Sequence, residues 1–181
     1  MMLVASPGRS ITRTELAELA QRIVEAASYA RVSLVTAESC TGGSLAVLLS
    51  NAPGAGDCFH GGFVTYSKQN KTKALGVSAQ LLRDKSAVCP EVAVAMAEGA
   101  IDRSPADLAI SITGVAGPDP DEDGNPVGRV CMAVARPSRP AVSTERYYGA
   151  IGKDEICRRA MRDALLKLLG VIESAETPQS S

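Results

Sequence analysis

Residues 36–44 read TAESCTGGS, and the rest of the chain is organised around this stretch. A short β-branched segment at 32–35 precedes it and predicts a buried strand, whereas residues 45–49 continue well as a helix. A strand that turns sharply into a helix leaves backbone N–H groups without partners, and the helix dipole adds positive charge there. Gly42 and Gly43 permit the backbone angles of such a turn. The pattern predicts a ligand site, with a well-capped turn as the alternative.

Composition limits the classes of protein to which the chain can belong. Its 181 residues, 45% of them hydrophobic and 22% charged, suffice for one domain with a core. We expect a flexible arm at 1–11, a single domain at 12–170 and a disordered tail at 171–181. A net charge of −1 argues against a nucleic-acid partner. No apolar run approaches membrane-spanning length, so we expect no membrane partner and a cytoplasmic location.

The cysteine and histidine content argues against a metal site, and we expect no cofactor. The five cysteines are scattered without C-x-x-C spacing, which is typical of reduced thiols. Because His60 is the single histidine, zinc would need cysteine ligands at structural spacing, and the sequence has none.

The order of the predicted elements indicates an α/β/α layered fold. A capping box at 12–15 opens an amphipathic helix over 12–30, and strands are predicted at 61–67 and 107–112. A hairpin of strands at 127–135 and 141–148 and a last helix at 153–169 follow. Helices interleaved with strands predict a three-layer sandwich with a mixed sheet of about five strands. The glycine-rich loops at 39–43 and 113–118 should lie at strand carboxyl ends, where such sheets bind ligands.

A nucleophilic serine would need an unusual base here. His60 sits at a strand entry and is a poor candidate for a triad, which leaves a Ser–Lys arrangement of Ser39 with Lys71. A lysine acts as a base only if burial lowers its pKa by about 3 units. From the sequence alone a solvated surface charge is the commoner state for Lys71. Tyr66 is a candidate relay or positioning group, or else a core residue at a strand end.

Two loops remain as candidates for binding. Thr113 and the N–H group of Gly114 are placed to stabilise an oxyanion or bind a phosphate, with a turn cap as an equal alternative. The loop 118–126 begins like a calcium loop, but Val130 stands where a bidentate Glu belongs. We interpret it as a solvated acidic loop that can act as a flap over the site.

Several strings together resemble the CinA C-terminal-domain family, whose characterised members include nicotinamide-nucleotide amidases. The resemblance covers residues 12–170 and rests on five stretches in the right order: TAESCTGG at 36–43, GFVTYS at 62–67 with Lys71, AEGA at 97–100, TGVAGP at 113–118 and PVG at 126–128.

The resemblance implies a function and a set of site residues. The reaction would be deamidation of nicotinamide mononucleotide to nicotinate mononucleotide and ammonia by a homo-oligomer. Ser39 would be the nucleophile and Lys71 its base, with Tyr66 assisting. The substrate would be held by residues of the two loops and the last helix: Glu38, Thr41, Gly42, Gly43, Thr113, Gly114 and Arg158.

The chain also departs from the family pattern at supporting positions: Ala55, Gly56, Lys68, Cys89, Lys153 and Cys157. The family tends to have arginine at the last two positions, and lysine or cysteine cannot replace its bidentate grip on phosphate. These departures motivate a second hypothesis, a catalytically weakened relative that serves as a nucleotide-binding or regulatory module.

Overall fold

The computed structural model describes residues 10–176, which form one mixed five-stranded sheet with helices on both faces. The elements in chain order are α1 Arg13–Ala30, β1 Leu34–Glu38, α2 Ser44–Ser50, a 3-10 turn Ala55–Asp57, β2 Phe59–Val64, α3 Lys68–Leu75, α4 Ala79–Lys85, α5 Pro90–Asp102, β3 Leu108–Gly114, β4 Arg129–Arg136, β5 Arg139–Tyr147 and α6 Lys153–Glu176.

The strand order is β2-β1-β3-β4-β5, and its parallel half positions the site. Strands β2 and β3 both pair parallel to β1, whereas β4 and β5 add as an antiparallel hairpin on the other side of β3. The carboxyl ends of β1, β2 and β3 therefore meet at one edge of the sheet.

The sheet separates two apolar cores, because alternate side chains of a strand point to opposite faces. One face carries Leu34, Ile110 and Ile112 and packs against α1, α2 and α6. The other carries Val35, Ala37 and Ala109 and packs against α3, α4 and α5. The predicted three-layer α/β/α sandwich is confirmed. None of the helices within residues 10–176 is long and apolar enough to cross a membrane.

Local signals located the first helix well and the strands less well. The Thr12 hydroxyl accepts from the Glu15 N–H group at 3.1 Å and the Glu15 carboxylate accepts from the Thr12 N–H group at 2.7 Å, which confirms the capping box. The first strand begins at Leu34 and continues to Glu38, beyond the predicted 32–35. Residues Arg139 and Pro140, predicted as part of the hairpin turn, belong to β5.

Helix α3 was not predicted, although it carries Lys71. The polar, lysine-rich segment 68–73 carries no clear apolar period, yet it belongs to a helix from Lys68 to Leu75. Ser67 caps this helix, because its hydroxyl accepts from the Asn70 N–H group at 3.1 Å.

The predicted domain limits need correction at both ends. Helix α6 continues to Glu176, so residues 171–176 are not a disordered tail. Ile172 explains the extension, since its side chain is buried in the core beneath α1. Ile11 is also buried, which places the end of the predicted N-terminal arm in the core. The rest of the predicted arm and tail, at 1–9 and 177–181, lies outside the described residues.

A close approach between β1 and β2 generates a prediction for Gly62. A Cβ atom at this position would collide with Thr36 Oγ1 and lie 3.0 Å from the Ala46 Cβ atom. Because Thr36 and Ala46 adjoin the turn at 39–43, we expect Gly62→Ala to lower the free energy of unfolding by about 2 kcal/mol, as overpacked cores do. Urea denaturation measures the loss. Gly56→Ala is the matched control, since no atom lies within 4 Å of a Cβ atom there; equal stability of the two variants would contradict the packing argument.

Candidate active site

A cavity of about 450 Å³ opens at the sheet edge where β1, β2 and β3 end. Ser39 follows β1, Tyr66 follows β2 by two residues, and Thr113 and Gly114 end β3. All four line this cavity together with Lys71. Strand topology thus brings both predicted loops and the lysine into one hollow.

The turn that presents Ser39 is fixed by backbone hydrogen bonds and two glycines. The Ser39 N–H group donates to the Ile112 carbonyl at 2.9 Å, and the Gly42 N–H group donates to the Ser39 carbonyl at 3.0 Å. Gly42 and Gly43 have φ angles of 59° and 91°, in the region that disfavours side chains. The permissive role predicted for the two glycines is confirmed, and the chain enters α2 directly after them.

Lys71 is buried against Ser39. Its Nζ atom lies 2.8 Å from Ser39 Oγ and 2.9 Å from the Thr65 carbonyl oxygen, and the residue is 1% exposed. No carboxylate within the described residues forms an ion pair with it. Burial therefore lowers the pKa of Lys71 to about 8, and the neighbouring Lys68 charge acts in the same direction. The amine is placed to exchange a proton with the Ser39 hydroxyl.

Cys40, the residue after Ser39, is unsuited to act as the nucleophile. Its side chain is buried, and burial raises the pKa of the thiol to about 12. A thiol in that state carries almost no thiolate at neutral pH. The reactive group of this turn is therefore the Ser39 hydroxyl.

Free N–H groups border the same turn. The N–H groups of Cys40 and Thr41 donate to no other described residue, nor do those of Ala116 and Gly117 in the loop after β3. Cys40, Ala116 and Gly117 line the cavity. Backbone donors of this kind can stabilise negative charge that develops on a bound carbonyl oxygen.

The side chain of Thr113 has a structural partner. Its hydroxyl donates to the Ala87 carbonyl at 2.8 Å, so it anchors the turn before α5 while its residue forms part of the cavity wall. Gly114 pairs with Val130 in the β3–β4 ladder and also lines the wall. Both line the cavity of Ser39, and their role in substrate binding stays a prediction.

Tyr66 stands at the cavity mouth. It is 68% exposed, and its hydroxyl forms no hydrogen bond with any described residue. Its predicted assistance in proton transfer has no supporting contact and stays a prediction.

Glu38 and Thr41 point into the protein and not into the cavity. The Glu38 side chain is fully buried and accepts from the Thr41 hydroxyl at 2.6 Å and from the N–H groups of Leu45 at 3.0 Å and Ala46 at 2.8 Å. Both residues were predicted to bind substrate. The structure assigns them instead to the cap of α2, where a buried carboxylate satisfies the free N–H groups of the first turn.

Gly42, Gly43 and Arg158, also predicted to bind substrate, line a different cavity of about 690 Å³ on the α1–α6 side of the turn. The Arg158 guanidinium pairs there with Glu155 at 3.1 Å. Cys157 donates to the Cys40 carbonyl at 3.6 Å, so this cavity adjoins the serine turn from behind. The structure does not bring Arg158 to Ser39.

The acidic loop 118–126 contributes more to the site than the sequence indicated. Asp119, Asp121, Glu122 and Asp123 line the cavity opposite Ser39. Asp123 accepts from Lys68 Nζ at 2.7 Å and from the Ala87 N–H group at 3.2 Å, which fastens the loop to α3 and to the turn before α5. The prediction of a flap located the loop correctly, but the anchoring partner Lys68 was not foreseen.

Thr65 is a second residue that sequence reasoning missed. It is buried and its carbonyl holds the Lys71 amine. The sequence cannot show that a particular backbone carbonyl will bind an amine. Ser67, a residue typical of helix N-caps, did indicate that a helix could begin two residues after Thr65. Within the described residues, no group of three His, Cys, Asp or Glu side chains is arranged to hold a metal ion.

Fold and cavity together define an α/β protein with a serine–lysine pair at the carboxyl edge of its sheet, and comparison with known proteins identifies the family. The CinA C-terminal domain family matches residues 16–172. The chain belongs to this family.

Similar proteins include both curated sequences and solved structures. A CinA-like protein of Syntrophobacter fumaroxidans is 42% identical over 139 residues, which is 77% of this chain and 32% of that protein. A competence/damage inducible protein of Agrobacterium tumefaciens has 35% identity and a TM-score of 0.83, over 94% of this chain and 99% of that one. A CinA superfamily protein of Escherichia coli has 36% identity and a TM-score of 0.83, over 90% and 94%. The chain spans 28–32% of the length of the curated relatives that it matches.

The buried cap predicts the effect of changing Glu38. An amide at this position replaces one acceptor oxygen with an NH₂ group that faces a backbone N–H group and a threonine hydroxyl. We therefore expect Glu38→Gln to lower the free energy of unfolding by about 2 kcal/mol. Chemical denaturation measures the loss. Glu18→Gln, the same change at an exposed position of α1, should stay within about 0.5 kcal/mol of the unchanged protein. A Glu38→Gln protein as stable as this control would show that the carboxylate does not hold the turn.

Proposed function

We propose that this protein is an amidohydrolase that removes ammonia from the carboxamide of nicotinamide mononucleotide, using Ser39 as nucleophile and Lys71 as base. The observation that carries the proposal is the 2.8 Å contact between Lys71 Nζ and Ser39 Oγ, two residues that are 1% and 6% exposed. A lysine with a pKa of about 8 is about one-tenth neutral at pH 7, which is enough for a base.

The reaction proceeds in two halves. The Ser39 oxygen attacks the amide carbon while its proton passes to the neutral Lys71 amine, and the carbonyl oxygen becomes an oxyanion. Lys71 then returns the proton to the departing nitrogen, so that ammonia leaves and an ester with Ser39 forms. A water molecule, deprotonated by Lys71, attacks this ester. The carboxylate product leaves, and Ser39 recovers its hydrogen.

Backbone N–H groups support the charged intermediate. The Cys40 N–H group belongs to the residue directly after the nucleophile, and Ala116 and Gly117 line the same cavity. Removing one donor of an oxyanion site typically lowers the rate about a hundred- to a thousandfold. The fixed turn at 39–43 is therefore as important to the proposed reaction as the serine itself.

The choice of nicotinamide mononucleotide rests on the family resemblance and on the size of the cavity. A volume of about 450 Å³ lies within the range of small-molecule sites. We also propose a homo-oligomer in the cytoplasm. Association is supported by the edge strand β5, where Val142 and Tyr147 expose apolar surface.

A nucleotide-binding or regulatory module is the second candidate. It is favoured by the Tyr66 hydroxyl, which forms no hydrogen bond with Ser39 or Lys71, and by the position of Cys157 and Arg158 in the other cavity. Such a protein would bind the nucleotide and release no ammonia.

Ammonia release from nicotinamide mononucleotide tests the proposed function. We expect Ser39→Ala to reduce kcat at least about a thousandfold, because the covalent route is lost. Ser50→Ala, which removes an exposed hydroxyl at the end of α2, is the matched control and should retain the rate. Equal rates for the unchanged protein and Ser39→Ala would remove Ser39 from the mechanism. Nucleotide binding in calorimetry without turnover would favour the regulatory module.

A further inference from the structure

The cavity that holds Ser39 has an unusually acidic wall. Four carboxylates line it, those of Asp119, Asp121, Glu122 and Asp123. Among the described residues only Lys68 and Lys71 bring positive charge to this wall. The carboxylates thus outnumber the ammonium groups, and this holds even when Lys71 is protonated.

Three of these carboxylates have partners within the protein. Asp121 accepts from the N–H groups of Asp123 at 3.1 Å and Asn125 at 2.8 Å, which shapes the loop. Asp123 and Glu122 share Lys68, at 2.7 and 2.9 Å. Lys68 is therefore already neutralised and has little charge to offer a ligand.

Asp119 differs from the other three. It is exposed on the cavity wall, and no described residue donates a hydrogen bond to it or forms an ion pair with it. It follows Gly117 and Pro118, in the loop whose Ala116 and Gly117 N–H groups donate to no described residue. A carboxylate in this position favours a cation bound in the same cavity.

We infer that Asp119 is a specificity-determining residue, the one that makes this cavity prefer the positively charged ring of the proposed substrate over a neutral ring. The inference rests on the proposed function, which it deepens. A cationic ring also withdraws electrons from the amide carbon and so makes it more open to attack by Ser39. The acidic wall would therefore bind most tightly the amides that a serine–lysine pair can most readily cleave.

The effect of ring charge on binding can be separated from the effect of ligand shape by comparing two redox forms of the same nucleotide. Nicotinamide mononucleotide has a cationic pyridinium ring, whereas its 1,4-dihydro form is neutral and otherwise closely similar. Calorimetry with the Ser39→Ala protein measures binding of both without turnover. We expect the oxidised form to bind about fivefold more tightly, the size of a solvent-exposed charge pair. The difference should shrink as salt is raised from about 0.05 M to about 0.5 M, because screening weakens such a pair.

A second substitution assigns the effect to Asp119. In the Ser39→Ala background, Asp119→Asn should weaken binding of the oxidised form about fivefold and leave the reduced form unchanged. Asp102→Asn is the matched control, since Asp102 is exposed at the end of α5 and away from the cavity. It should alter neither affinity.

The outcomes separate this inference from the proposed function. Equal affinity for the two forms, absence of binding by both, or an equal loss of both in Asp119→Asn would overturn the inference. Ammonia release by the unchanged protein would still support the proposed function in those cases. Preference for the oxidised form without any ammonia release would retain the inference and remove the hydrolase.

Discussion

The site depends on one contact, the buried amine of Lys71 against the hydroxyl of Ser39. No carboxylate in residues 10–176 forms an ion pair with this amine. An ammonium group in such a place loses its hydration, so burial lowers the pKa of Lys71 to about 8 from an ordinary 10.5. Because the unfolded chain holds its proton more tightly, protonated Lys71 costs the fold about 3 kcal/mol below pH 8. That cost falls as pH rises from 8 to 10.5. The protein retains a destabilising lysine where a chemical base is useful.

Two other features keep that contact in place. Ser67 begins α3 beside the Thr65 carbonyl, which holds the amine from one side. On the other side, the buried carboxylate of Glu38 accepts hydrogen bonds from the first turn of α2 and so fixes the position of the turn that bears Ser39. Both depend on the parallel pairing of β1 with its two neighbours, because only that topology brings the ends of the strands to one edge. The acidic loop then closes the cavity through Asp123 and Lys68.

Much of this arrangement could be predicted from the sequence, because it depends on interactions between residues that are close in the chain. The capping box at Thr12 and the turn residues around Gly42 and Gly43 act over a few residues, so pattern alone located them. The pairing of Ser39 with Lys71 is a long-range contact, and it was expected from family resemblance and not from spacing. Composition suggested an exposed Lys71, whereas the structure buries it, because the start of α3 packs beneath the loop ends.

Other features were beyond sequence reasoning for physical reasons. Glu38 was predicted to bind a ligand, because the sequence does not distinguish a buried glutamate from an exposed one. The four protein groups that donate hydrogen bonds to its carboxylate come together only in the folded chain. Arg158 lies on α6, and its distance from Ser39 depends on how that helix crosses the sheet. The charge balance of the cavity likewise emerges only when the loop 118–126 meets α3.

The most direct test of this account is an NMR titration of the Lys71 side chain, assigned by comparison with the Lys71→Met protein. We expect a Lys71 midpoint near pH 8, well below the ordinary lysine pKa of 10.5. A Lys71 midpoint above pH 10 would show that the amine is hydrated and charged at neutral pH. In that case it cannot activate Ser39, and the serine–lysine mechanism is wrong.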